Sequence, residues 1–527
     1  MITGQSFIGF ERSNGTGITF KTFDPKLNIE NDWLFVEATQ EEVNEAVELA
    51  WRAFTTYQNE SGSKKAAFLR AIADNIELLG DQLIEVYCKE TGLPTGRAQG
   101  ERGRTCFQLR TFADLVEEGS WVNAIIDTAQ PKREPIPKPD IRKMSIPIGP
   151  IAVFGASNFP LAYSTAGGDT ASALASGCPV IVKSHPMHAA TGELVASAIQ
   201  KAAQMTEMPN GVFSNLNSAG IEVGQYLVKH PKIKGVGFTG SISGGRALFD
   251  LAAQREEPIP VFAEMGSINP VVFLPAALKV NGKDWAKTYA GSITLGTGQF
   301  CTNPGLLVGI KGKDLDGFIQ DLSEEIVSIE PSCMLHPKII SQFDKNKNSM
   351  VHEESTITTA EYEKTPLINH PKQTVVKVSG ENFIANPNLH KEVFGPFSMI
   401  VECEDQEELV STILELEGQL TGTIIGDEDE LDSYRDVIQS LENRVGRIIY
   451  NGVPTGVEVC PAMQHGGPYP ASTDSRFGAV GVESVKRWVR PMSYQNWPNK
   501  LLPKALQNEN PLGIQRLVNN VKTDAGI

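Results

Sequence analysis

Apolar residues recur at helical spacing through residues 40–120, then gather into short, fully apolar clusters from Gly149 onward. In the first stretch Thr39-Gln40-Glu41-Glu42 precedes Val43, Ala46, Val47 and Ala50, a helix start with acidic first-turn residues. Ala66 to Leu79 and Gln82 to Thr91 repeat the pattern, and the second stops at Gly92. Gln130 to Pro147 is proline-rich and basic, and alternates through Asp140-Ile141-Arg142-Lys143-Met144-Ser145-Ile146; it reads as a linker leading into an extended hairpin.

Beyond Gly149 strands and helices alternate. Ile151-Ala152-Val153-Phe154 is a strand, Tyr163 to Ser176 a small-residue helix closed by Gly177, Val180-Ile181-Val182 a strand and Thr191 to Met205 a helix. Gly211 to Ser214, Ile221 to His230, Ile233 to Phe238, Gly244 to Gln254 and Val261-Phe262 continue the series. Repeated βα units with doubly apolar strands predict a parallel sheet covered on both faces. Ligands on such sheets bind at the carboxyl ends of the strands, and Asn158, Lys183 and Gly240 all fall just after predicted strands. After Glu264 a second α/β domain is expected, with strands near Val271–Phe273, Leu306–Ile310, Ser398–Val401, Gly422–Ile425 and Gly446–Tyr450. The tail from Asn496 to Ile527 is expected to wrap over the surface.

The 527-residue length asks for two or three domains, and 41% apolar with 21% charged residues is ordinary for a globular enzyme. A net charge of -16 argues against nucleic-acid binding. Seven scattered cysteines form no CxxC pair and no metal-ligand spacing with the eight histidines, so no metal site is expected and a reducing compartment is. Met1 to Gly15 lacks a basic n-region and an apolar h-region, and no run is long enough for a membrane span. A cytoplasmic location with no membrane partner is the expectation.

Candidate chemistry centres on Gly298-Gln299-Phe300-Cys301-Thr302-Asn303, with Glu264 and Asn158 upstream. A cysteine in a small-residue loop, a carboxylate and an amide could supply a nucleophile, a base and an oxyanion donor. Each also has a plainer reading: a small buried hydrophobe, a strand-end charge and a turn former. Phe238-Thr239-Gly240-Ser241-Ile242-Ser243-Gly244-Gly245 sits at a strand end and opens a helix, where glycines let backbone approach a phosphate, or where a plain βα turn is made. Lys183 and Glu392 could contact ribose hydroxyls, or be a solvated lysine and a turn cap.

Six segments resemble the aldehyde dehydrogenase superfamily and stand in its order along the whole chain: Gly155-Ala156-Ser157-Asn158-Phe159-Pro160, Lys183, Phe238-Thr239-Gly240-Ser241, Glu264-Met265-Gly266, Gly298-Gln299-Phe300-Cys301 and Glu392-Val393-Phe394-Gly395-Pro396. The resemblance implies two parallel-sheet α/β domains with a small β oligomerisation element. Residues 1–130 and 149–263 would bind NAD(P), 264–465 would be catalytic, and 131–148 with 466–527 would serve assembly into a homodimer or homotetramer through Lys138 to Ile148 and Val485 to Ser493. It implies Cys301 as nucleophile, Glu264 as base, Asn158 as oxyanion donor, and Lys183, Gly240, Ser241, Gly245, Glu392 and Phe394 as cofactor contacts. Pro186 stands where many NAD-preferring members carry a glutamate, which leaves both NADP and NAD open; Arg246 is a candidate phosphate partner.

Residues Asn451 to Val459, His465 to Arg476, Glu101 to Thr105 and Gln108 to Arg110 resemble the branch that oxidises α-ketoglutaric semialdehyde (2,5-dioxopentanoate) to 2-oxoglutarate. On that footing the substrate site is expected at Phe159, Tyr163, Val457 and Val459, with Thr455 or Glu458 on a polar wall and Arg110 receiving a distal carboxylate. A medium- or long-chain fatty aldehyde dehydrogenase and a catalytically silent scaffold are the alternatives. An acylating, coenzyme A-dependent enzyme would have no use for Glu264.

Overall fold

The computed structural model describes residues 2–527. The helical opening begins as its pattern predicts. The Thr39 hydroxyl accepts from Glu42 N while the Glu42 carboxylate accepts from Thr39 N, a reciprocal cap that starts helix Gln40–Tyr57. Helices Gly62–Leu78, Gly80–Thr91 and Thr95–Glu118 follow, and Gly80–Thr91 ends at Gly92 in the left-handed conformation.

The first large sheet runs, in spatial order, Val261–Glu264, Gly235–Thr239, Ile151–Phe154, Val180–Lys183, Phe213–Leu216, then two short antiparallel strands, Phe7–Ile8 and Glu11–Arg12. Its first five strands are parallel and almost wholly buried, with helices on both faces. The second sheet holds Ile357–Glu361, Thr374–Ser379, Phe397–Cys403, Leu306–Ile310, Pro270–Phe273, Gln419–Ile425 and Val445–Tyr450. All of its pairings are parallel except the one at Ile357–Glu361. A third sheet of five strands lies outside both, in the order Val489–Gln495, Ile141–Pro147, Ile125–Asp127, Arg516–Val518, Val521–Thr523.

Four expectations change. The N-terminal strands, including the hairpin Thr19–Asp24 with Ile29–Val36, escape the periodicity reading because they are short or interrupted by charge. Buried Glu193 fixes that segment by accepting from Thr3 N, Gly4 N and Arg12. The helix expected from Tyr163 begins only at Gly168. Before it the backbone doubles back, so closely that a Cβ on Gly167 would lie 2.6 Å from Ala162 O. The tail does not merely wrap the surface: it supplies two strands to the outer sheet, with buried Arg516 donating to the carbonyls of Ala505, Gln507, Asn508 and Ala525. Residues 466–488 do not join that sheet but run back across the first one, where Glu264 bridges Ser472 and Met265 N donates to Ala471 O.

Among the described residues no helix is long and apolar enough to cross a membrane. The return segment is anchored by Trp488, fully buried, whose indole N–H donates to Ser172 Oγ at 2.7 Å and whose ring meets Phe262 edge-on. Trp488→Ala should cost about 3–5 kcal/mol of stability. A guanidinium titration whose first midpoint stays where it is in the parent would contradict this anchoring.

Candidate active site

Helix Pro275–Thr294 runs out into three successive residues with positive φ, Gly296, Thr297 and Gly298, before Cys301. Gly298 permits the contact that shapes this loop, because a Cβ there would lie 2.3 Å from the Gly395 carbonyl carbon. Asn269, fully buried and itself left-handed, clamps the far side: its Nδ2 donates to Cys301 O at 2.8 Å and Asn303 O at 2.9 Å, while its Oδ1 accepts from Ser267 and Thr421. Asn158 Nδ2 donates to Gln299 O at 3.0 Å, which sets the amide beside the same loop.

Glu264 ends its strand inside the protein. Its Oε1 accepts from Ala479 N at 2.9 Å and Arg487 Nη2 at 3.2 Å; its Oε2 has no hydrogen-bond partner among the described residues and lies 3.5 Å from His465 Nε2. Burial drives the carboxyl up to about 8 against the pull of Arg487, with Asp169 adding to the rise. The same His465 Nε2 is 3.6 Å from Cys301 Sγ. Burial and then Arg104, Arg447 and Arg487 lower the imidazole to about 3, so the ring is neutral near pH 7. Burial, Glu264 and Glu392 push the Cys301 thiol up to about 12. His465 Nε2 thus stands between the Glu264 carboxyl and the Cys301 thiol.

Cys301 divides two spaces. On one side a cavity of about 290 Å3, lined by Asn158, Gly240, Ser241, Glu392 and Phe394, continues into one of about 560 Å3 lined by Lys183, Pro186, Gly240 and Ser241. This cleft crosses the carboxyl ends of the first sheet's strands. It fits a dinucleotide: the Lys183 amine is buried at one end and lowered by that burial to about 8, and Ser241 caps helix Ile242–Ala253 through Gly244 N. At the other end Glu392, raised by burial to about 7, stands so close to Gly266 that a Cβ there would lie 2.3 Å from its Oε2. Two cofactor expectations are corrected. Gly245 does not line the cleft; it admits Met265, whose Sδ would be 2.6 Å from a Cβ there. Arg246 pairs with Asp250 on the helix surface.

On the other side of Cys301 lies a cavity of about 300 Å3, at the small end for ligand sites, lined by Arg97, Glu101, Arg104, Phe159, Tyr163, Phe300, Thr302 and Val457. Arg97 lies over the rings of Phe159 and Phe300, and Arg104 donates to Tyr163 OH at 2.9 Å. Arg110 is not there. It faces helix Gly62–Leu78 and pairs with Asp74 and Glu77, because a step of six residues from Arg104 turns it to another face of its helix. Val459 is buried away from the cavity, Thr455 bonds to Ser292, and Glu458 is exposed. Sequence reasoning missed His465, Arg487, Asn269, Arg97 and Arg104. A helical count through the cavity-facing positions 97, 101 and 104 carried the signal for the last two.

A cysteine thiol between a substrate-sized pocket and a dinucleotide-sized cleft, with a buried carboxylate at hand, is an arrangement that suits aldehyde oxidation through sulfur. The chain belongs to the aldehyde dehydrogenase family, whose profile matches residues 13–488, and is an aldehyde-oxidising enzyme that works with a nicotinamide dinucleotide. It is 46% identical over 517 residues to α-ketoglutaric semialdehyde dehydrogenase 2 of Azospirillum brasilense, covering 98% of each chain. It is 44% identical over 521 residues to α-ketoglutaric semialdehyde dehydrogenase of Acinetobacter baylyi, covering 99% of each. In fold it is similar to betaine aldehyde dehydrogenase of Staphylococcus aureus in complex with NAD+, with a TM-score of 0.81 at 19% identity over 94% of this chain and 96% of that one.

Gly298→Ala should force the Cys301 and Gly395 segments apart and lower turnover by about tenfold or more, since small misplacements of reacting groups are costly. A variant with parental turnover would show that the loop tolerates the shift.

Proposed function

We propose that the enzyme oxidises 2,5-dioxopentanoate, a short aldehyde with a distal carboxylate, to 2-oxoglutarate, with Cys301 as nucleophile, Glu264 as hydrolytic base and Asn158 as oxyanion donor. The observation that carries this reading is the charge of the substrate cavity. Arg97 and Arg104 line it; the one carboxylate there, Glu101, pairs with Arg97 at 3.6 Å and accepts from Tyr87 OH, Leu161 N and Ala162 N, which leaves Arg104 as the cation without a carboxylate partner among the described residues. A guanidinium fork suits a carboxylate. Both relatives described above, at 46% and 44% identity, are named for this semialdehyde.

The residues divide the work as follows. The Cys301 thiol gives its proton to water as sulfur bonds to the aldehyde carbon; His465, 3.6 Å from the sulfur but lowered to about 3, is too weak a base to take it. The Asn158 amide and the Cys301 backbone N–H hold the resulting oxyanion. The dinucleotide, when bound, supplies the acceptor for the hydride that the tetrahedral carbon gives up. A thioester remains on Cys301. Glu264 Oε2, the oxygen without a partner, draws a proton from water, whose oxygen attacks the thioester carbon; the C–S bond breaks, the acid is released, and the Cys301 thiolate takes the proton back from Glu264 to become thiol again.

Lys183, Gly240, Ser241, Glu392 and Phe394 would hold the cofactor, and Pro186 places no carboxylate against a 2′-phosphate, so NADP is accepted beside NAD. In this reading residues 1–130 and 149–263 form the cofactor domain, 264–465 the catalytic domain, and the outer sheet the assembly element of a homo-oligomer. An unpaired edge such as Val489–Gln495 favours a partner strand. Seven free thiols suit the reducing cytoplasm.

Glu264→Gln should give one turnover of reduced cofactor per site and then near-arrest. In the parent, the hydrolytic step should quicken as pH rises through about 8, because only the deprotonated carboxylate accepts the proton of water. Rapid mixing that finds no burst assigns Glu264 elsewhere. Arg104→Ala should raise KM for 2,5-dioxopentanoate by about tenfold or more and leave hexanal within about twofold. If hexanal is already the better substrate of the parent, the aromatic wall of Phe159 and Phe300 governs and the fatty aldehyde reading takes over.

A further inference from the structure

Arg487 is almost fully buried and reaches two carboxylates, Glu264 Oε1 at 3.2 Å and Asp169 Oδ1 at 2.9 Å. Asp169 comes from the start of helix Gly168–Ser176, and Arg487 from the return segment just before Trp488. The approach is close on the sheet side as well: a Cβ on Gly237 would lie 2.7 Å from Asp169 Oδ2, so a side chain at this strand position would push the carboxylate aside. A buried ion pair contributes little net stability once desolvation is counted. Two carboxylates on one guanidinium also leave an excess negative charge in a dry place unless one of them holds a proton.

We propose that Asp169 and Arg487 are a positioning pair for Glu264, fixing its Oε1 and sharing one positive charge between two carboxylates, so that Oε2 stays free toward His465 and Cys301. The pair rests on the reading of Glu264 as hydrolytic base. The ionisable groups around Glu264 are Arg487 and Asp169 on one side, His465, Cys301 and Tyr163 with Arg104 on the other. Removing the Asp169 charge gives Arg487 wholly to Glu264 and favours its carboxylate; removing the Arg487 charge does the reverse.

The test is an infrared pH titration of the buried carboxyl, identified by its loss in Glu264→Gln, beside the pH profile of p-nitrophenyl acetate hydrolysis, which needs no cofactor and no particular aldehyde. Asp169→Asn should move both midpoints down by about one pH unit. Arg487→Gln should move them up by a similar amount and slow hydrolysis at pH 7, and Arg487→Lys should bring the midpoint most of the way back. Unmoved midpoints in folded variants, or an upward shift in Asp169→Asn, would overturn the pair. If Arg487→Gln does not fold, the near-isosteric Asp169→Asn decides alone. Ester hydrolysis undiminished in Glu264→Gln would instead overturn the base assignment, while the infrared shift would still judge the pair.

Discussion

A carboxylate and a thiol buried together form the constraint to which much of the architecture answers. Either group alone would be costly to ionise in a dry pocket, and each makes the other harder to ionise. The fold meets that cost by bringing polar groups from distant parts of the chain to one point. Ala479 N and Arg487 reach Glu264 from the return segment, His465 stands between carboxylate and sulfur, and Asn269 holds the backbone under the thiol. The two parallel sheets supply the rigid ends from which these groups project.

Much of this was legible in the sequence because it lies in local pattern. Apolar tetrapeptides such as Ile151–Phe154 and Val180–Lys183 can be little other than buried strands, and Thr39 with Glu42 announces a helix start. Cys301, Glu264 and Asn158 stand out because each sits in a short segment whose residue types match a chemical task. His465 and Arg487 do not. One is a lone histidine among glycines and prolines, the other a basic residue before a tryptophan, and only the closed fold puts them within reach of Glu264.

Arg110 and Gly245 show a subtler failure. Both belong to the right elements, a helix beside the substrate cavity and a turn at the cofactor cleft, but each faces the wrong way by part of a turn. Segment-level resemblance locates an element. Only its rotation about its own axis decides whether Arg104 or Arg110 lines the cavity, and that rotation is set by packing against helix Gly62–Leu78, where Arg110 meets Asp74 and Glu77. The N-terminal strands were hidden for the opposite reason, since a two-residue strand carries no period at all.

The return segment joins two regions that otherwise look separate. Arg487 touches the buried carboxylate, Trp488 is locked into the core, and Val489 is already the first residue of the outer sheet's edge strand. Three consecutive residues therefore span from the buried Glu264 carboxyl to the edge of the outer sheet. Trp488 is the fixed point between the two, so a pull on the edge strand reaches Arg487 only through the indole's socket against Ser172 and Phe262.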